Sequence, residues 1–173
     1  SMIKAKMENA LNGQLNAELY SSYIYLSMSG VLERMGLPGF ANWMRVQTQE
    51  ENAHAMKIYD HIIERGGTVK LAALDTPPRE WTSVLEICEA TMEHEQMITG
   101  LINDLVDLAV EEKDHATNMF LQWFVTEQVE EEANVDDIIQ KLKLTEEAKG
   151  ALFLMDKDMA ARVFVPPTSQ GDN

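Results

Sequence analysis

Cysteine is nearly absent. One residue, Cys88, occurs in 173, so neither an internal disulfide nor a multi-cysteine zinc or iron–sulfur site can form. A lone thiol fits a reducing compartment and a cytoplasmic location, and Cys88 itself reads as a core residue. Five prolines and nine glycines are few for this length, which leaves long stretches without helix breakers. No stretch is apolar for the roughly 18 residues a membrane span needs, and no charged-then-apolar signal segment opens the chain. Ser1 ahead of Met2 reads as an expression scar. Basic residues are also scarce. Fourteen Lys and Arg face 29 Asp and Glu, a formal net charge of -15, which argues against nucleic acid or an anionic membrane as partner because both need basic patches. Cations are the natural partners of such a chain, with an acidic face kept for solubility as the plainer alternative.

What the chain does have is apolar periodicity. Hydrophobic residues make up 45%, eleven of them Met, enough to fill the core of one domain spanning 1–173. The spacing predicts a first helix from about Ile3 to Met35 with the inward stripe Leu11, Leu15, Glu18, Ser22, Tyr25, Ser29, Leu32. Gly36 stops it, and Leu37-Pro38-Gly39 is short enough to return the second helix antiparallel, ending near Arg65 at Gly66-Gly67. Its stripe is Phe40, Met44, Gln47, Glu51, His54, Ile58, Ile62. Residues 66–82 lack periodicity and include Thr76-Pro77-Pro78, which predicts a crossover packed along the bundle, so that the third helix runs parallel to the second.

Ser83-Val84-Leu85-Glu86 has capping-box spacing and opens a third helix with the stripe Cys88, Met92, Glu95, Ile98, Ile102, Leu105, Ala109. Asp114 is the predicted N-cap of a fourth helix that runs to about Lys143 through Phe120, Phe124, Glu127, Glu131, Val135, Ile138, Leu142. Thr145 is expected to cap a short fifth helix over about 145–160, and the tail, 161–173, turns polar from Pro166-Pro167. No chemistry is expected of either. The predicted fold is all-α: a four-helix bundle over about 3–143 with a long crossover between helices 2 and 3, followed by the short fifth helix.

Four carboxylates interrupt these stripes at one level. Glu18, Glu51, Glu95 and Glu127 lie roughly 12 to 15 residues into their helices, about 20 Å from each start, and mid-helix positions stay level whichever way a helix runs. Glu131, one turn past Glu127, and His54, one turn past Glu51, join them. An isolated inward Glu usually snorkels or pairs with Lys or Arg, but no basic residue lies on these stripes at that level. Five carboxylates and an imidazole at one height repel unless protonated or bound to metal. Carboxylates with one His and no thiolate suit iron or manganese, and five are enough for two ions sharing a bridge.

Over essentially its whole length the sequence resembles a prokaryotic non-haem ferritin. The resemblance is carried by Asn16-Ala17-Glu18-Leu19-Tyr20 with Tyr25, Gly39-Phe40-Ala41-Asn42-Trp43-Met44, Glu50-Glu51-Asn52-Ala53-His54-Ala55, Glu64-Arg65-Gly66-Gly67, and Leu121-Gln122-Trp123-Phe124-Val125-Thr126-Glu127-Gln128 with Glu130 and Glu131. It implies a ferritin-like bundle and a ferroxidase centre in which Glu18, Glu51 and His54 hold one iron, and Glu51 bridges to a second held by Glu95 and Glu131. Gln128 would neighbour the second iron. A third iron site would use Glu50, Glu127 and Glu130 with Glu131 shared, and Tyr25 would be the buried tyrosine beside the centre. The implied reaction oxidises two Fe(II) with O2, or with H2O2, through a peroxo-bridged diferric intermediate and stores Fe(III) as mineral inside a cage of twenty-four copies. Asp114, His115 and Asn118 are candidates for a channel mouth in it.

The related bacterioferritins place a haem-ligating Met directly after the residue corresponding to Glu51, and a Glu-x-x-His pair on the fourth helix. Here those positions read Asn52 and Gln128-Val129-Glu130-Glu131, so no haem is expected. A rubrerythrin would need a cysteine-ligated iron domain, and the mini-ferritins put their site between subunits. The alternatives that composition leaves open are a haem-free bacterioferritin-like protein and a bundle that stores divalent metal, or builds a shell, without oxidase turnover.

Overall fold

The computed structural model describes residues 2–148 and 150–167, among which five helices form: α1 (Ala5–Arg34), α2 (Pro38–Glu64), α3 (Val84–Glu111), α4 (His115–Thr145) and α5 (Ala151–Met159). The predicted end of the tail, from residue 168, lies outside the described residues. Three of the four long helices, α1, α2 and α3, stop at a left-handed residue. After α1, Gly36 takes φ 78°, its N–H bonds the Glu33 carbonyl, and the Leu37 N–H returns to Leu32 O at 3.0 Å. Gly66 and Gly67 repeat the motif on Ile63 and Ile62. At the end of α3 the same bonds form around Lys113, at φ 56°, so a lysine stands in a conformation that glycine fills elsewhere. The next residue, Asp114, caps α4 by accepting from Thr117 N–H at 3.1 Å, as predicted. Ser83 likewise caps α3 by accepting from Glu86 N–H, while the Glu86 carboxylate reaches back to Thr82 rather than to Ser83.

Side-chain pairings fix the helix directions. Ser21 meets His94 and Met28 meets Thr91, so α1 and α3 are antiparallel. Gln47 meets Glu131 and His61 meets Thr117, so α2 and α4 are antiparallel too. With short turns joining α1 to α2 and α3 to α4, α2 and α3 run parallel, the arrangement a long crossover permits. The crossover is tied to α1: Asn12 donates to Thr68 O at 3.0 Å and accepts from Lys70 N–H at 2.7 Å, and Ser27 donates to Pro78 O. Val69 and Trp81 pack partly on the bundle, so the crossover lies along it as expected, while Leu71 and Leu74 are exposed.

The apolar core comes in two halves. One gathers Met28, Leu32, Phe40, Met44, Ile87, Cys88, Val135 and Ile138; the other Leu11, Leu15, Ile58, Ile62, Ile102, Leu105, Leu121 and Phe124. The carboxylate layer lies between them, in the middle third of each long helix.

Helix α5 begins later than predicted. Thr145 still belongs to α4, where its hydroxyl donates back to the Leu142 carbonyl instead of capping a new helix, and Gly150 at φ 85° precedes α5. Leu152 and Met155 pack on the bundle while Phe153 and Leu154 are exposed. The segment also has a structural role that no local pattern announces. Leu37, at the N-cap position of α2, offers no side-chain acceptor, and the buried carboxylate of Asp156 on α5 serves instead, accepting from Gly39 N–H at 3.1 Å and Phe40 N–H at 2.8 Å. Glycine is required at 39, because a Cβ there would stand 1.6 Å from the Asp156 carbonyl oxygen. Asp156→Ala is expected to cost about 1–2 kcal/mol, a fall of about 4 °C in melting temperature. An unchanged melt would show that these bonds stabilise nothing.

Candidate metal centre

Glu18 from α1, Glu51 and His54 from α2, Glu95 from α3 and Glu131 from α4 are all buried in the layer between the two core halves. Three trios bring ligand atoms within 4.8 Å of one another: Glu18, Glu51 and His54; Glu51, Glu95 and Glu131; and His54, Glu127 and Glu131. Glu51 belongs to the first two, so its carboxylate stands between them.

A ring of amides and hydroxyls orients these carboxylates. Gln14 donates to Glu18 at 3.0 Å, one turn along α1. Gln47, one turn before Glu51, spans two helices by donating to Glu51 at 3.2 Å and to Glu131 at 2.7 Å. Tyr25, fully buried, donates a hydrogen bond to Glu95 Oε1. Gln128 donates to Glu95 Oε2 at 3.1 Å and to its backbone carbonyl, and lies within hydrogen-bond distance of Thr99, which itself bonds Glu132. His54 Nδ1 lies 3.2 Å from Glu51 Oε2. The rings of Trp123 and Phe124 pack edge-on against the imidazole.

The charges are poorly tolerated without a cation. Burial, followed by the field of Glu95, holds the Glu51 carboxyl well above the usual range, and the same two causes raise Glu131. Burial raises Glu95 to about 7, against the hydrogen bonds from Tyr25 and Gln128 that favour its ionised form. Tyr25 is pushed up by burial and then by Glu95, so its hydroxyl stays protonated as a donor. Burial pulls His54 down, leaving the imidazole neutral and able to ligate. The donor set fits a hard or borderline divalent ion such as Fe(II), with oxygens, one imidazole and no thiolate. One further observation agrees: the buried Glu18 Oε2 has no hydrogen-bond donor among the described residues, as expected of an oxygen that serves a cation.

Not every predicted site residue joins the buried layer. Glu127 is half-buried on the flank of α4, and the residue that takes its predicted inward place is Gln128, which is buried. Glu130 is exposed, and Glu50 is ion-paired with Arg162 at 3.0 Å. Of the residues expected at a third site, Glu127 and Glu131 share a trio with His54, and Glu130 and Glu50 both lie close enough to raise the Glu127 carboxyl. Of the channel-mouth candidates, Asp114 is buried, caps α4 and pairs with Arg65 at 2.8 Å, Asn118 is half-buried and His115 is exposed. Gln14 and Gln47, which orient three of the carboxylates, are not among the residues expected at the site. Their signal was their spacing, four residues ahead of an inward Glu in each case.

The geometry has clear relatives. Residues 8–145 match the family model described as Ferritin: Ferritin-like domain. A bacterial non-haem ferritin of Bacteroides fragilis is 46% identical over 161 residues, covering 93% of this chain and all of the relative. One from Staphylococcus saprophyticus is 39% identical over 94% of this chain and 98% of its own. Among solved structures, an open-pore ferritin from the hyperthermophilic archaeon Archaeoglobus fulgidus superposes with a TM-score of 0.92 at 54% identity, covering 93% of this chain and 98% of its own. An engineered closed form of the Archaeoglobus fulgidus ferritin gives 0.93 at 53%, covering 94% and 99%. With the buried carboxylate and imidazole trios in the middle of its bundle, this chain belongs to the family of bacterial and archaeal non-haem ferritins.

Proposed function

We propose that the protein takes up Fe(II) as substrate, oxidises it with O2 at the buried centre, and stores the Fe(III) product as mineral in a multi-subunit cage. The observation that carries the reading is the membership of Glu51 in two adjacent trios, since one carboxylate can offer an oxygen to each of two ions. Glu18 and His54 complete one ion's ligands and Glu95 and Glu131 the other's. Paired ions allow two electrons to leave in one encounter with O2.

The remaining residues position and neutralise. Gln47 holds Glu51 and Glu131 together, and Gln128 and Tyr25 hold Glu95, so that ligands from separate helices keep one geometry as charge enters. Tyr25, hydrogen-bonded to a ligand, is placed to supply a proton or electron. Glu127, with Glu50 and Glu130 toward the surface, forms an accessory cation site through which iron passes. By kinship we infer a cage of twenty-four copies in the cytoplasm, free of haem, with peroxide as a second usable oxidant. No described helix is long and apolar enough to cross a membrane.

One titration tests the reading. Loading the metal-free protein with Fe(II) under argon at pH 6.5 should release about two protons per chain, because raised carboxyls must ionise to bind a cation. Admitting O2 should then oxidise two Fe(II) per chain in a fast phase. Binding without proton release, or oxidation no faster than in buffer alone, would defeat the proposal.

A further inference from the structure

The segment after α5 lies across the outer side of the centre. Arg162 anchors it through four contacts. Its Nη2 meets Glu50 Oε2 at 3.0 Å, and its Nη1 donates to the Trp43 carbonyl at 3.1 Å. Its guanidinium carbon sits 4.2 Å from the centroid of the Trp43 ring, and its own carbonyl accepts from Asn42 Nδ2 at 3.0 Å. Beyond it, Val165, Pro166 and Pro167 form one wall of a cavity of about 290 Å³. Glu50, His54, Trp123 and Glu127 form the other.

The cavity has a polar focus that the chain leaves unfilled. His54 is only 3% exposed yet lines it, and its Nε2 has Glu127 Oε1 at 3.9 Å, beyond hydrogen-bond length. A buried imidazole nitrogen and two carboxylates thus face one space, flanked by the guanidinium paired with Glu50 and by the Lys57 ammonium, 4.3 Å from the centroid of the Trp123 ring.

We propose that residues 162–167 form a strap in which Arg162 is a built-in counter-ion for Glu50, displaced when a metal cation binds among Glu50, His54 and Glu127. The stack on Trp43 and the bond to its carbonyl hold Arg162 independently of Glu50, so the ion pair can open while the strap stays attached. Two successive prolines stiffen the outer wall and lower the entropy lost in keeping it there. Competition by the guanidinium weakens cation binding and speeds exchange, which makes the cavity a place of transit, not of storage. This rests on the ferroxidase reading only in expecting iron to use that side of the centre.

Terbium(III), which has no redox chemistry here, is the probe, added to the full-length iron-free protein. Its emission is excited through indole, and the part that depends on Trp123 is isolated by difference against Trp123→Phe. Arg162→Gln should tighten this binding by about tenfold, because a fixed positive charge has left the cavity wall. Zn(II) should then displace the probe at correspondingly lower concentration. Arg162→Lys, which keeps the charge, should stay near the parent, and adding Glu127→Gln to Arg162→Gln should remove the gain. Unchanged affinity in Arg162→Gln, an equal gain in Arg162→Lys, or no Trp123-dependent binding at all would overturn the proposal. Loss of fast iron oxidation with the terbium result intact would instead sink the ferroxidase reading and leave the strap standing.

Discussion

Glu51→Gln should abolish the fast phase of Fe(II) oxidation, lowering its rate by at least about 100-fold, since ligand geometry and affinity depend steeply on each donor. The amide keeps the shape of the carboxyl. Its oxygen can still accept from Gln47, and its nitrogen can donate toward His54 Nδ1, which lies 3.2 Å from the oxygen it replaces. What it loses is the anionic oxygen that two ions would share. The same substitution should raise the melting temperature of the metal-free protein at pH 7.5, because it removes a buried carboxyl that burial and Glu95 make costly to ionise. Stopped-flow oxidation and thermal melts on one preparation read both effects. A variant that oxidises iron as fast as the parent would show that Glu51 does not join two ions, whatever its stability.

Metal-free protein should lose stability as pH rises from 6.5 to 8, and metal should erase the slope. Glu95, raised to about 7, and Glu51 and Glu131, both raised, keep protons in the fold that the unfolded chain gives up near pH 4 to 5. A raised folded pKa contributes stability fully below the unfolded value and loses it as pH climbs through the folded one. The buried His54, His61 and His94, all lowered by burial, act in the opposite sense, but their effect fades above about pH 6.5, the unfolded histidine range. Each extra proton retained in the fold costs about 1.4 kcal/mol per pH unit, so the decline over this window should be roughly 2 kcal/mol, or about 5 °C, for each proton held throughout it. Saturating Zn(II) should erase it and stabilise most at the alkaline end, since cation binding and deprotonation then act together. A flat or rising melt for the metal-free protein would mean that the carboxylates are neutralised by something other than protons or cations.

Most of the bundle was legible because its helices keep a strict three-and-four rhythm. Every stripe residue predicted for α1 and α2 is buried, Glu18, Glu51 and His54 included. The misreading on α4 has a simple cause. From Phe124 a step of three reaches Glu127 and a step of four reaches Gln128, and periodicity alone does not choose between them. The structure settles it through the bonds of Gln128 to Glu95 and Thr99, which turn that face inward. The late start of α5 and the roles of Asp156 and Arg162 were illegible for a different reason. Their partners, Gly39, Phe40 and Glu50, lie more than a hundred residues away, and no local pattern records such a pairing.

The cap that Asp156 places on α2 also has a consequence in time. Its partner N–H groups leave the ribosome 116 and 117 residues before it does. At about 10 residues per second, α2 waits on the order of 12 s with its leading turn unsealed. Until α5 emerges, the nascent bundle can form its interior but not close this end. A chain truncated before Asp156 would remain in that unfinished state.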